Sequence, residues 1–530
     1  METYDLLAEQ EDLRVLILMS VTSENNKRIA KNTLFLYVRM LLIMGVTLYT
    51  SRVVLHVLGV EDFGIYNVVG GVASSFVFFS SSLSNATQRF LNFELGLGNI
   101  NSVKNIFNIS LLVYAVIALV VLVASEFIGI WLINNKLVIP ANRFDSALWV
   151  FHAMMASLVV TLLGTVFDSV LIARENMRLY AYIGVWEAVG KLLIVYILDH
   201  VDFDKLKLYS GLLLCITVCV KFIPAIFCVC KYPECRIRFY WNFSLFTKLF
   251  RFVGWNGLGT AVWAVNEQGM SILLNIFFGP AVNAAKAVAT QMNAAINNFG
   301  SNFFVAVRPQ IVKSYAHRDY SYFVELIYNS SRYSFFLMWL LCLPFLLKID
   351  CILTLWLGIV PQYAPDFARW ILIYSLINIL TNPFWSAIQA IGVLRRYILV
   401  GSTVYLMAFP VSYLFLKCGY NPIVVFQVLS GIRFVYLFVI VKIVGNYVSI
   451  SIFQYIGKVI VPISLVVLLS SIIMLAFSYY SSESFASLFL VSLVCFIVVL
   501  LTIYIVGITS KEKCEIKMKF IQYFYNDKEN

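Results

Sequence analysis

Residues 274–291 read LNIFFGPAVNAAKAVATQ, and residues 55–72 read LHVLGVEDFGIYNVVGGV. The two stretches stand about 220 positions apart and follow one plan. Each closes an apolar run, turns at a glycine (Gly279 or Gly59) and opens a second apolar run. Glycine enters φ > 0 without a steric penalty, so it suits a tight turn between helices. About thirty residues further on, each copy reaches an arginine, in NATQRF (85–90) and in FVAVRPQ (304–310). Each then passes through a short polar stretch, FNISL or YNSSR, into the next apolar run. Glycine, arginine and re-entry at matched spacing mark an internal repeat.

Composition says what is repeated. Of 530 residues, 61% are hydrophobic and 13% charged, where soluble domains carry about 25% charged residues. The sequence predicts an all-α polytopic membrane protein. Apolar stretches of about 20 residues, the length that crosses hydrocarbon as a helix, number fourteen. They run 33–58, 66–92, 107–133, 144–172, 180–198, 208–230, 245–278, 281–307, 326–348, 367–391, 398–416, 423–446, 453–478 and 484–508. The glycine-rich GWNGLG (254–259) interrupts the seventh.

Six spans fall in each copy and two lie outside. An even number starts both copies on the same side, so they are related by an axis along the membrane normal, with a cleft between them. The expected division is an N-terminal cytoplasmic extension (1–26), an N-lobe (27–243), a pseudo-symmetric C-lobe (244–450), two further helices (451–510) and a basic cytoplasmic tail (511–530). Alternate loops hold 25 Lys and Arg on one side against 8 on the other. The positive-inside bias therefore places both termini in the cytoplasm. The net charge of +11 belongs to that bias. A nucleic-acid reader would gather its cations on one soluble face, so no nucleic-acid partner is expected.

Several chemistries are excluded. No outer loop exceeds about 20 residues, which leaves no aqueous domain for a membrane glycosyltransferase or polymerase, and no enzymatic activity is expected. No G-x-x-x-x-G-K-[ST] appears, so nucleotide coupling is not expected. Most of the ten cysteines sit in apolar runs. Cys228, Cys230 and Cys235 cluster without the paired spacing and histidines of a zinc site, so neither metal nor cofactor is expected. The start, METYDLLAEQEDLRVLILMSV, is acidic and its apolar core short, unlike a secretory signal.

The run SRVVLHVLGVEDFGIYNVVGGV (51–72), followed by NATQRFLNFELGLGN (85–99), resembles the first two helices of Wzx-type polysaccharide flippases. These belong to the multidrug/oligosaccharidyl-lipid/polysaccharide exporter superfamily. The resemblance extends over roughly residues 27–510, and a MATE-like fold of twelve plus two helices occurs there. It implies a bacterial inner-membrane protein that moves undecaprenyl-diphosphate-linked oligosaccharide repeat units, of O-antigen, other lipopolysaccharide or capsule, to the periplasmic leaflet. Two relatives stay open as alternatives, a lipid-linked peptidoglycan precursor flippase and a cation-coupled multidrug exporter.

Polar residues at helical spacing mark where a head group would sit. Asn283, Lys286, Thr290, Asn293, Asn297 and Ser301 share one face of the eighth span, and Asn256, Thr260, Trp263, Glu267, Ser271 and Asn275 one face of the seventh. Ser74, Ser81, Asn85 and Gln88 fit more loosely in the second. Small polar residues also hold helices together, but Lys286 and Glu267 favour a hydrated cleft. Arg39 and Arg52, thirteen residues apart, point about 220° apart on the first span. Each suits either the cavity or an interface to which its head snorkels. Glu187 and Lys191, four apart, suit a mutual pair, and Lys221 and Arg433 complete the mid-membrane ions. Helical rise separates Glu267 and Lys286 by roughly 9 Å in depth, which predicts no direct pair and brings Asn293 nearer the acid. The expected substrate-binding residues are Arg39, Arg52, Asn85, Gln88, Asn256, Lys286, Asn293 and Asn297. Their surplus positive charge suits a diphosphate. Glu267 is the expected carboxyl for a coupling proton or Na⁺, and membrane lipids surround the whole.

Overall fold

The structure, a computed structural model, describes residues 42–509 apart from 73–75, 77, 175 and 480–484, together with 512–514. Arg39 lies outside the described residues. No strand occurs among them. The helices are α1 (Leu42–Val72), α2 (Phe78–Gly96), α3 (Ile100–Asn135), α4 (Phe144–Ala173), α5 (Met177–His200) and α6 (Lys205–Lys231). They continue as α7 (Phe243–Phe278), α8 (Pro280–Ala316), α9 (Tyr320–Leu347), α10 (Ile349–Leu357), α11 (Ala364–Ile379) and α12 (Asn382–Ile391). The last are α13 (Leu394–Leu406), α14 (Ala408–Lys417), α15 (Val424–Gly445), α16 (Ile452–Tyr455), α17 (Val461–Tyr479) and α18 (Phe485–Thr502).

Eleven helical runs among the described residues are long and apolar enough to cross a membrane. The α7 and α8 helices, of 36 and 37 residues, have the length but carry the polar stripes. Both repeat glycines have the left-handed φ of a turn, 78° at Gly59 and 80° at Gly279; Gly279 separates α7 from α8, whereas the helical run Leu42–Val72 continues through Gly59. Pro280 opens α8, where its missing N–H is not needed.

Three further features differ from the sequence reading. GWNGLG does not interrupt its span, since α7 is continuous through it. A helical glycine costs about 1 kcal/mol, whereas an unsatisfied backbone group in hydrocarbon costs several. The expected span 367–391 is one membrane-length run, Ala364–Ile391, with a break between α11 and α12 and Pro383 in the first turn of the second. The expected span 398–416 is likewise one run, Tyr397–Lys417, with a break between α13 and α14 and Pro410 in the first turn of α14. Proline supplies no N–H to the preceding turn, so each break has a covalent cause.

The chain forms two compact units. The first takes Phe79–Ala124, His152–Gly254 and the start of α1 up to Ser51. The second takes Arg52–Phe78, Ser125–Phe151 and the chain from Trp255 on. In the first unit α5 packs on α6, and Gly190 lets Ile216 approach to 2.8 Å of where a Cβ would stand. Phe107 and Phe167 meet edge to face at 5.5 Å. In the second unit α8 lies against α9, α11 and α12, while α17 and α18 pack on α9. There Phe323, Phe367, Phe384 and Tyr455 are fully buried. Gly64 meets Pro280 so closely that an added Cβ would stand 1.9 Å from the Pro280 carbonyl oxygen.

Arg332 is buried in α9. Its guanidinium bonds Asn329 Oδ1 at 3.1 Å and pairs with Glu512, and the Tyr333 hydroxyl donates to the same carboxylate at 2.7 Å. Glu512, within the basic tail (511–530), is thus an acid that neutralises a buried cation.

Candidate functional site

In the second unit the Gly279 turn sets α7 and α8 side by side, and Lys286 reaches back to α7. Its Nζ lies 2.8 Å from the Glu267 carbonyl oxygen, 2.7 Å from Ser271 Oγ and 3.2 Å from Glu267 Oε1. The expectation that Lys286 and Glu267 stand apart is overturned. Helical rise measures the levels of Cα atoms and omits the four-carbon arm of lysine, which spans the difference. The ammonium thus makes two hydrogen bonds and one ion-pair contact.

In the same unit, Arg433 of α15 meets residues of α11, of the turn that follows it and of α13. Its guanidinium donates to Asn378 Oδ1 in the last turn of α11 and, at 3.0 Å, to Thr381 Oγ1 at the N-cap of α12. It lies 4.6 Å from the ring centroid of Tyr436 and 5.9 Å from that of Tyr405, within cation–π range. Tyr405 and Tyr374 share a hydroxyl–hydroxyl bond of 3.1 Å. Asn266 Nδ2 of α7 donates to the Tyr405 carbonyl at 2.8 Å. Both tyrosines interact electrostatically with Glu267. Arg433 Nε is buried without a hydrogen-bond partner among the described residues, and no ion pair of Arg433 is found among them.

The other expected residues of this unit scatter. Asn297 Nδ2 donates to Ser375 Oγ at 3.1 Å. Asn293 Oδ1 is buried and has no hydrogen-bond partner among the described residues. Arg52 is exposed, with its guanidinium 3.4 Å from the Leu355 carbonyl, and His56 one turn on is exposed too. Asn256 is helical, and its side chain lies outside the described atoms. On the same unit Arg143 pairs with Asp62, and Asn275 contacts Val138 in the loop between α3 and α4.

In the first unit, Gln88 Nε2 donates to Ser84 Oγ at 2.7 Å, and Ser84 meets Ser169 Oγ at 3.2 Å. Thr87 Oγ1 lies 2.7 Å from the buried Tyr114 hydroxyl. The Asn85 side chain lies outside the described atoms. Glu187 and Lys191 form the in-helix pair that their spacing predicts, at 2.7 Å. Lys221 does not join them. It pairs with Asp168 of α4 at 2.6 Å, its arm lying against Gly164. Asp168 was missed in the sequence, although the one signal it leaves, a lone acid in the apolar run GTVFDSVLIA (164–173), is visible there.

Charge thus cancels locally at most of the mid-membrane ions. Glu267 offsets Lys286, Asp168 offsets Lys221 and Glu187 offsets Lys191. Arg433 is held by neutral groups and keeps its charge.

No family model and no curated protein matches the sequence. Among solved structures the chain is similar to a multidrug resistance MATE family transporter of the MOP superfamily in an inward-facing conformation. That match has 14% identity and TM-score 0.64, covering 78% of this chain and 98% of that one. It is similar also to the lipid II flippase MurJ in an inward closed conformation, with 11% identity and TM-score 0.66, over 89% of this chain and 99% of that one. An outward-facing MATE transporter matches with 13% identity and TM-score 0.57, over 79% and 96%. The fold is that of the MATE and MurJ transporters, a multi-pass helical membrane architecture.

Proposed function

We propose that the chain is a Wzx-type flippase that carries undecaprenyl-diphosphate-linked oligosaccharide repeat units from the cytoplasmic to the periplasmic leaflet. The chain would alternate access to a head-group site from the two sides, in the bacterial inner membrane, with both termini cytoplasmic. An ion gradient drives the cycle, and Glu267 is the carboxyl assigned to it. Residues Arg39, Arg52, Asn85, Gln88, Asn256, Asn293 and Asn297 remain the proposed head-group contacts.

The observation that carries an anionic over a cationic substrate is Arg433. It is a membrane-embedded guanidinium bonded by an amide oxygen and a hydroxyl, with Nε unused. A cationic drug would be repelled there, whereas a diphosphate meets a donor suited to it. Lys286, engaged by Glu267 and Ser271, is withdrawn from the proposed diphosphate contacts in this conformation.

Expression in a strain lacking its polysaccharide flippase tests the reading. Restored surface polysaccharide supports it. Rescue instead of a strain depleted of its lipid II flippase favours the peptidoglycan reading, to which the likeness to the lipid II flippase lends support.

A further inference from the structure

Among the described residues, three lysines lie in membrane-spanning helices with an acidic partner, and they are not alike. Lys191 and Lys221 each meet one carboxylate oxygen, at 2.7 Å and 2.6 Å. Lys286 meets three oxygens of three kinds: a carboxylate, a backbone carbonyl and a hydroxyl, all from one turn of α7. Its side chain is only 8% exposed. A salt bridge needs the carboxylate alone. Converging carboxylate, carbonyl and hydroxyl oxygens form the hard-oxygen set that bare alkali and alkaline-earth ions select, and Glu267 gives the set a single negative charge.

We propose that Glu267 and Ser271 form a monovalent-cation site whose cation is built into the chain as the Lys286 ammonium. The wild-type protein therefore takes no mobile alkali ion there, and removal of the ammonium opens the site to one. Arg433, linked to the acid through Tyr405, adds a positive neighbour that disfavours a divalent ion. Any part of this pocket in coupling rests on the transport reading; its occupancy does not. A carboxylate matched permanently by a tethered cation requires no Na⁺ to be neutral, so a gradient acting at Glu267 would have to compete with Lys286.

The experiment uses the purified full-length protein and follows Tm in choline, sodium, potassium and methylammonium chloride at one ionic strength. Wild-type Tm is expected to be the same in all four. Lys286→Ala is expected to melt lower in choline and to recover saturably with Na⁺, K⁺ or methylammonium, the last replacing the missing arm. Glu267→Gln added to Lys286→Ala is expected to abolish the recovery. A folded Lys286→Ala protein that ignores every cation overturns the proposal. Lys286→Met, which keeps most of the arm's volume, takes its place if the alanine variant does not fold. Radioactive Na⁺ binding to wild type and Glu267→Gln gives a readout without any lysine variant. Saturable binding that Glu267→Gln removes would mean a mobile ion already occupies the pocket, and would sink the idea. Since nothing here measures transport, a chain that fails to flip lipid leaves this result standing, and the reverse holds too.

Discussion

Asn275 grips the backbone of Val138 at both ends of its amide. Val138 N donates to Oδ1 at 2.8 Å, and Nδ2 donates to the Val138 carbonyl at 3.4 Å. Asn275 is fully buried, so truncation leaves two backbone groups without a partner. Asn275→Ala is expected to cost about 1–3 kcal/mol. The check is faster hydrogen exchange at the Val138 amide together with a lowered Tm.

The pair of Asp168 and Lys221 gives a sharper test of buried charge. Both side chains are mostly covered, at 16% and 20% exposure. Breaking a fully buried pair costs about 3–5 kcal/mol, and the residual exposure reduces this to about 2–3 kcal/mol. Asp168→Asn should therefore lower Tm more than Asp168→Asn combined with Lys221→Met, because the double variant strands no charge. Equal destabilisation would refute the ion-pair assignment.

At Gly64 the constraint is steric. Gly64→Ala would set a methyl group 1.9 Å from the Pro280 carbonyl oxygen, and backbone cannot swing aside as a flexible side chain can. A loss of about 1–3 kcal/mol is expected from overpacking, read as poor yield of folded protein. Gly211→Ala is the control, since nothing stands within 4 Å of its added Cβ.

Arg433 separates the proposed anionic substrate from a cationic one. Arg433→Met should reduce lipid-linked oligosaccharide flipping at least about tenfold, the equivalent of one lost charge-assisted contact of about 1.4 kcal/mol or more. Arg433→Lys should restore part of it. A vesicle flipping assay or polysaccharide complementation checks both variants, and full activity of Arg433→Met would exclude the guanidinium from the site.

Acid should loosen the tail. Burial raises the Glu512 pKa, but hydrogen bonds from Tyr333 and Thr509 and the charge of Arg332 outweigh it and hold the pKa below the ordinary carboxylate value. A lowered folded-state pKa contributes stability that is full above the unfolded-state pKa and is lost as pH falls through the folded one. The Tm gap between wild type and Glu512→Gln should therefore narrow on acidification through that range. A gap that widened would reverse the sign and contradict the assignment.

What the sequence made legible was whatever is encoded over short distances. Gly59 and Gly279 announce their left-handed φ because they sit between apolar runs, and Glu187 with Lys191 is a pair by helical spacing alone. Asp168 escaped notice because one acid in an apolar run has no periodicity, and its partner Lys221 lies 53 residues away. Lys286 and Glu267 were separated by an arithmetic of backbone levels that left out the reach of the side chain. The breaks near Leu380 and Met407 were hidden by continuous hydrophobicity, although Pro383 and Pro410 stood in view. Convergence of Asn378, Thr381, Tyr405 and Tyr436 on Arg433 depends on how distant helices pack, which no local pattern records.

The break between α13 and α14 carries a mechanical consequence. Tyr405 sits in the last turn of α13, and its carbonyl accepts both from the Met407 N–H and from Asn266, the neighbour of Glu267 in the chain. Were the span to straighten, the Phe409 N–H four residues on would compete for that oxygen. The break in one helix and the residue beside an acid on another thus share one acceptor.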